Sequence, residues 1–282
     1  MSPDLEHLRQ WIGRSETRVE TLAPFPSNAL AATLNRDDPP YEAGTPLPPL
    51  WHWLHFLPIS PLREAGPDGH PARGGFLPPV PLPRRMWAGS RLAFRAPLMI
   101  GDTATRVSTV TSVEHKAGKT GDLVFVTVRH EIAGPAGLAI EEEHDIVYRD
   151  LPAPDAPPPR PVAPPEGAQW RYPVTPDSVL LFRYSALTFN SHRIHYDLDY
   201  VTREEGYPGL IVHGPLIATL LLDGLRREFP DRLVNQFTFR AVAPTFHIEP
   251  FAVLGRTTGP DMVHLWAEKS GQLTMDATAE LA

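Results

Sequence analysis

The stretch FRYSALTFNSHRIHYDLDYVTREEGYPGLIVHGPLIATLLLDGLRR, residues 182–227, sets a group of polar side chains against an almost wholly apolar run. Asn190, His192, His195 and Asp197 lie within one short segment, and His213-Gly214-Pro215 stands directly before residues 216–222. A helix over 215–228 would carry Leu216, Ile217, Ala218, Leu220, Leu221, Leu222 and Leu225, which leaves almost no polar face over its first two turns. Such a helix has to be enclosed, most simply by a curved sheet, and that requirement decides the fold.

The start of that helix is also a chemical device. Gly214 has no side chain and Pro215 suits the first helical position, so unpaired backbone N–H groups face whatever lies in front of them. Aimed at a thioester carbonyl, they hold the negative charge that develops on an enolate oxygen, a contribution of about 3 to 4 kcal/mol per donor in comparable sites. Addition at the adjacent carbon also needs a base for water, and a neutral imidazole oriented by a second polar residue suits that role. His195, with Asn190 five residues earlier, fits. Ser185, His192, Tyr200 and His213 are further candidates for substrate contact, although packing or a single hydrogen bond explains such residues as well. Arg240 is the arginine for an anionic part of the ligand, with an exposed edge-strand charge as the alternative. His192-x-x-His195 with Asp197 and His213 offers enough ligand atoms for zinc but no helical HExxH arrangement, so no metal is assigned.

Composition bounds the partners. The 26 basic and 33 acidic residues give a formal net charge of −7, with no long basic run to follow a phosphate backbone, so nucleic acid is not expected. Cysteine is absent, which removes disulfides, thiolate nucleophiles and Cys-based metal sites. No apolar segment approaches the roughly eighteen residues that a membrane helix needs, and the first twenty residues carry Asp4, Glu6, Glu16 and Glu20. A cytoplasmic protein without membrane contact is the expectation.

Upstream, residues 3–12 have the spacing of a short amphipathic helix, Thr17/Val19/Thr21 alternate, and Ser27 is placed to cap a second helix running to Leu34. PLPPLWHWLHFLP, 46–58, either lines an acyl pocket or fills a core. The Gly- and Pro-rich segment 66–83 reads as a long loop, with Arg73, Arg84 and Arg85 as a rim for an anionic ligand or as solvated surface. From Arg91 the period becomes two: Leu92/Phe94, Val107/Thr109/Thr111/Val113, Val124/Val126/Val128 and Ile140 to Tyr148 alternate as antiparallel strands, with turns at Gly101-Asp102, 117–122 and 134–137. Residues 151–168, with eight prolines, form a linker. The second half repeats the plan, with a strand at 182–184, the apolar helix, and strands around Phe237/Phe239 and over 252–256, 263–267 and 273–281. LAFRAP at 92–97 and FTFRAVAP at 237–244 echo one another. The class is α+β, with an internal repeat.

SALTFNSHRIHYD followed by GYPGLIVHGPLIATLL resembles the hydratase motif of MaoC-like (R)-specific enoyl thioester hydratases. With PLPPLWHWLHFLP and GGFLPPVPLPRRMWAG, the pattern is similar over nearly the whole chain to the double hot-dog subgroup. That subgroup holds mitochondrial-type 3-hydroxyacyl thioester dehydratases and bacterial mesaconyl-C4-CoA and itaconyl-CoA hydratases. The resemblance implies a tandem hot-dog fold of two sheets, each curling round a helix: a degenerate N-terminal copy over 1–150, the linker at 151–168, and a catalytic C-terminal copy over 169–282. It puts the catalytic His on His195, a helix-capping Asp on Asp197 and the thioester donor on the Gly214 N–H. One departure stands out. The acid found five positions before the histidine in simpler hydratases is Asn190 here, and the Asn two residues later is His192. Asn takes no proton, so either His195 works alone with Asn190 positioning water, or His192 supplies a second titrating group.

The implied activity is reversible hydration of an enoyl-CoA, with a short dicarboxylic substrate such as mesaconyl- or itaconyl-CoA, coenzyme A as carrier, no bound cofactor and a homodimer as an open assembly. A dehydratase of fatty-acid synthesis acting on CoA or carrier-protein thioesters is the alternative, as are a hot-dog thioesterase and a non-catalytic acyl-CoA-binding module.

Overall fold

The computed structural model describes residues 3–71, 73–118, 121–150 and 160–282, so the first part of the expected linker, 151–159, and the tip of the turn at 117–122 lie outside them. The chain opens with α1 (Leu5–Arg9), capped by the Asp4 carboxylate accepting from the His7 N–H, then β1 (Ser15–Thr21) and α2 (Pro24–Thr33). A 3-10 turn at Trp51–Leu54 and a long loop lead to β2 (Arg84–Phe94), β3 (Thr103–Gly118), β4 (Gly121–Gly134) and β5 (Gly137–Arg149). The second half runs β6 (Trp170–Val174), α3 (Ser178–Leu187), α4 (Leu198–Arg203), α5 (Gly214–Glu228), β7 (Val234–Ala241), β8 (Phe251–Thr257), β9 (Met262–Lys269) and β10 (Gln272–Leu281).

The strands order as β1-β3-β4-β5-β2-β7-β10-β9-β8-β6, and every pairing is antiparallel. Each half therefore uses the same internal order. The halves meet at β2 and β7, where Leu92 pairs with Phe237, so the two echoing segments are the strands that join them. The tandem hot-dog expectation holds, with one difference in detail: the halves share one ten-stranded sheet instead of forming two. The close approach at this seam depends on Gly89, where a Cβ would sit 2.3 Å from the Phe239 carbonyl oxygen.

Helix α5 is enclosed as its composition demands. Leu216, Ile217, Ala218, Leu221, Leu222 and Leu225 are all buried in a core shared with Leu30, Trp51 and Phe237. Truncating one such leucine costs about 2 to 5 kcal/mol. The helix also carries one buried charge, Asp223, held by Arg36 from beyond the end of α2 and by Arg227 one turn on at 3.0 Å. Among the described residues, the N-terminal half has no counterpart of α5, so the helix expected inside that copy is not found. The chain there passes through the Trp51–Leu54 turn and the long loop, and beneath β3, β4 and β5 a cavity of about 1880 Å³ remains, continuous with the start of α5.

Two local expectations are corrected. Residues 182–184 are helical, inside α3: Asp177 caps it by accepting from the Leu180 N–H at 2.8 Å, and only Leu181, Tyr184 and Ser185 are buried, a helical spacing that leaves Phe182 64% exposed. Ser27 does not cap α2, which begins earlier at Pro24, where prolines suit the first turn. The described part of the linker lies along the sheet, with the Val162 carbonyl accepting from the Leu273 N–H at 2.8 Å.

Candidate active site

The segment between α3 and α5 is folded by its own polar side chains. Phe189 takes a positive φ of 49°, a costly turn for a bulky residue, and this presents Asn190. The Asn190 N–H donates to the Ser185 carbonyl at 2.8 Å and its Oδ1 accepts from the His192 N–H at 3.0 Å, starting the 3-10 turn Arg193–His195. Asp197 then caps α4, accepting from the Tyr200 N–H at 3.0 Å, and pairs with Arg193 at 2.8 Å.

His195 sits buried at the end of that turn. Its Nδ1–H donates to the Ile211 carbonyl at 2.7 Å, which fixes the tautomer and leaves Nε2 as a bare lone pair. His213 stacks on it with ring centroids 3.7 Å apart, and its own Nε2 lies 2.8 Å from Ser185 Oγ. Burial lowers the His195 pKa to about 4, partly opposed by the Ile211 bond, and burial drives His213 well below its usual value. Both rings are therefore neutral at neutral pH. Immediately after His213, α5 starts with no side-chain cap, and a Cβ placed on Gly214 would meet nothing within 4 Å. An unpaired, positively polarised helix start thus opens onto free space beside a neutral imidazole.

A contribution from the other half completes the group. The loop carrying Asp68 and His70 locks onto the segment: Ser191 Oγ donates to the Gly69 carbonyl at 2.5 Å, and the Arg193 N–H donates to the Asp68 carbonyl at 2.9 Å. Gly69, at φ 88°, permits this approach, since a Cβ there would lie 1.9 Å from the Ser191 carbonyl oxygen. His70 Nδ1 is 3.0 Å from the Asp68 carboxylate, and its ring lies 3.9 Å from that of His192, which meets His195 edge-on at 5.5 Å. Burial pushes the Asp68 carboxyl up, but the hydrogen bond and charge of His70 outweigh it, and the group stays ionised. Asp68, His70 and His192 are the metal-type ligands that come together, with donor atoms within 4.8 Å. The set weighed from sequence does not assemble, because Asp197 is taken by Arg193 and the α4 cap.

The cavity gathers Asn190, His192, His195, His213, Gly214 and Ser185. Tyr200 and Arg240 are not among its lining residues: Arg193 stacks over the Tyr200 ring at 4.1 Å, and Arg240, 65% exposed, lies 3.4 Å from Asp276. Arg240 ends up outside because its side chain points to the solvent face of the sheet, beside a carboxylate on the neighbouring strand. The segment 46–58 divides its residues, with Trp51 and Leu54 in the core while His52, Trp53 and His55 line the cavity. At that end, Glu142 is fully buried and accepts from Trp53 Nε1 at 3.0 Å and Ser90 Oγ at 2.9 Å. Sequence spacing gave no sign of Asp68, His70 or Glu142, because the contacts that bring them to the site, Asp68 with Arg193, His70 with His192 and Glu142 with Trp53 and Ser90, join residues far apart along the chain.

Solved MaoC-like dehydratases share this fold. In accord with that, the hydroxyacyl-thioester dehydratase type 2 family profile matches residues 50–247, and the chain belongs to this family. It is 48% identical to the mesaconyl-C(4)-CoA hydratase of Chloroflexus aurantiacus over 96% of both chains. It is 29% identical to the mitochondrial hydroxyacyl-thioester dehydratase type 2 of Schizosaccharomyces pombe, covering 80% of this chain and 81% of that one. A MaoC-like dehydratase from Phytophthora capsici shares the fold at a TM-score of 0.69 and 16% identity, over 99% of this chain and 98% of the other. The protein is a hydratase/dehydratase of acyl thioesters.

Proposed function

We propose that the enzyme adds water across the α,β double bond of a short dicarboxylic acyl-CoA of the mesaconyl-C4-CoA kind, with His195 as general base. His195 Nε2 takes a proton from water as the oxygen bonds to the β-carbon. The π electrons move through the α-carbon to the thioester oxygen, and the Gly214 N–H holds the resulting enolate. Collapse of the enolate takes the proton back from His195 onto the α-carbon, so atoms and charge balance. Asn190 positions the water through its amide nitrogen, its oxygen being engaged by the His192 N–H. The step is redox-neutral and calls for no bound cofactor, with coenzyme A arriving as part of the substrate.

The observation that carries this reading is the pairing of a neutral imidazole, bare at Nε2, with an uncapped helix start opening onto the same cavity. The substrate class rests on the 48% identity to the Chloroflexus enzyme over nearly the whole chain. Purified protein assayed on mesaconyl-C4-, itaconyl- and crotonyl-CoA tests it: mesaconyl-C4-CoA should be hydrated fastest. Release of free thiol without a hydroxyacyl product would make the enzyme a thioesterase instead.

A further inference from the structure

The basic side chains lining the cavity are engaged one after another. Arg73 donates to the carbonyls of Val80, Leu82 and Pro83 at 2.5 to 2.6 Å, tying down its own loop. Arg84 pairs with Glu205 at 3.1 Å, Arg18 with Glu16 at 3.2 Å, and Lys269 with Glu249 at 2.7 Å, while Arg106 lies 3.8 Å from Glu16. Besides Arg73, whose partners are carbonyls, Arg85 and Arg149 have no carboxylate at ion-pair distance among the described residues. They differ in position. Arg149 closes β5, and its charge is felt by Tyr207, whereas the charge of Arg85 is felt by His70, His192 and His144.

Arg85 is half-buried on β2, directly across from Tyr148 on β5, and both line the cavity. The groups against it are neutral, the Tyr148 hydroxyl being buried and burial holding His144 at a pKa of about 4, while the two charges that act on the same rings, Asp68 and Arg73, are engaged with His70 and with backbone carbonyls. A guanidinium with no carboxylate at ion-pair distance keeps its fork open to an anion, and a carboxylate matches that fork in shape and charge. The same charge opposes a cation at Asp68, His70 and His192, which weighs against a metal there.

The place of this charge matters as much as its lack of a partner. In mesaconyl-C4-CoA the free carboxylate is bonded to the β-carbon, the carbon that water attacks. Its cationic partner has to stand near His195, and Arg85 acts on His70 and His192, the two rings that lead to it. We propose that Arg85, backed by the Tyr148 hydroxyl, binds the free carboxylate of the acyl group and so selects substrates charged at the β-carbon over uncharged branched ones. This assignment rests on the substrate class proposed above.

The test compares mesaconyl-C4-CoA with 3-methylcrotonyl-CoA, in which a methyl replaces the carboxylate, as substrate and as competitive inhibitor. Arg85→Ala is expected to lower kcat/KM for mesaconyl-C4-CoA by about 30-fold or more, chiefly through KM, while binding of 3-methylcrotonyl-CoA holds or tightens. Arg85→Lys should restore part of the loss, and Tyr148→Phe should shift the ratio the same way by less. An Arg85→Ala enzyme that loses both thioesters equally, or neither, overturns the assignment. A wild-type enzyme that prefers 3-methylcrotonyl-CoA overturns the substrate class itself, a separate failure visible before any substitution is made.

Discussion

At the scale of single residues, the environment of His195 makes it a base at any physiological pH. Its pKa of about 4 predicts that kcat/KM stays level from neutral pH down to about 5 and falls only below that, well under the usual imidazole value. His195→Ala should lower kcat by roughly 100- to 10,000-fold, read in a direct hydration assay. Gly214→Ala separates activity from folding. The added methyl meets no protein atom, so the thermal midpoint should hold, but it stands where the enolate oxygen must approach, and kcat/KM should drop by about 100-fold. Residues close in sequence were legible at this scale. The Asp197 cap and the uncapped start at Gly214 are consequences of local spacing, and they stand in the structure as the residue types require. His70 was not legible, since nothing in its own neighbourhood announces a ring contact with His192.

At the scale of elements, α5 illustrates how a helix with no polar face is paid for by its surroundings: its leucines need the sheet, and its one buried carboxylate needs Arg36. Removing Arg36 leaves Asp223 with Arg227 alone, and Arg36→Ala should cost about 3 kcal/mol in urea denaturation. Removing the more exposed Arg171 of edge strand β6, paired over β8 with Glu268 of β9, should cost well under about 1 kcal/mol. Strand periodicity located β3, β4, β5 and β7 because one face of each is dry, while β8, buried on both faces over residues 251–255, showed as a short apolar run. Periodicity failed at Phe182, Arg183 and Tyr184, where so short an alternation suits strand and helix equally. The Asp177 cap, outside those residues, decides between them.

At the scale of the whole molecule, the sheet order repeats from one half to the other, and sequence could only hint at this through the echo of 92–97 in 237–244. The union of the halves at β2 and β7 depends on main-chain pairing, which leaves little trace in residue type. The buried histidines give the molecule a shared acid weakness. Burial lowers His195 and His144 to about 4 and His130 to about 3, whereas in the unfolded chain each titrates near 6.5. Between those values the unfolded chain binds more protons than the native one, so acid favours unfolding. Stability should be complete above about pH 6.5 and decline steadily toward pH 4, measured as the urea midpoint at a series of pH values.

The absence of a second long helix from the N-terminal half has a consequence for stoichiometry. The strands are laid out as for two equivalent sites, yet among the described residues α5 alone sets an uncapped start beside a neutral imidazole on this cavity, and the cavity runs into the space that a second such helix would fill. Each chain should therefore take up a single thioester. Calorimetric titration with a non-hydratable analogue should saturate at one equivalent, with no second, weaker phase.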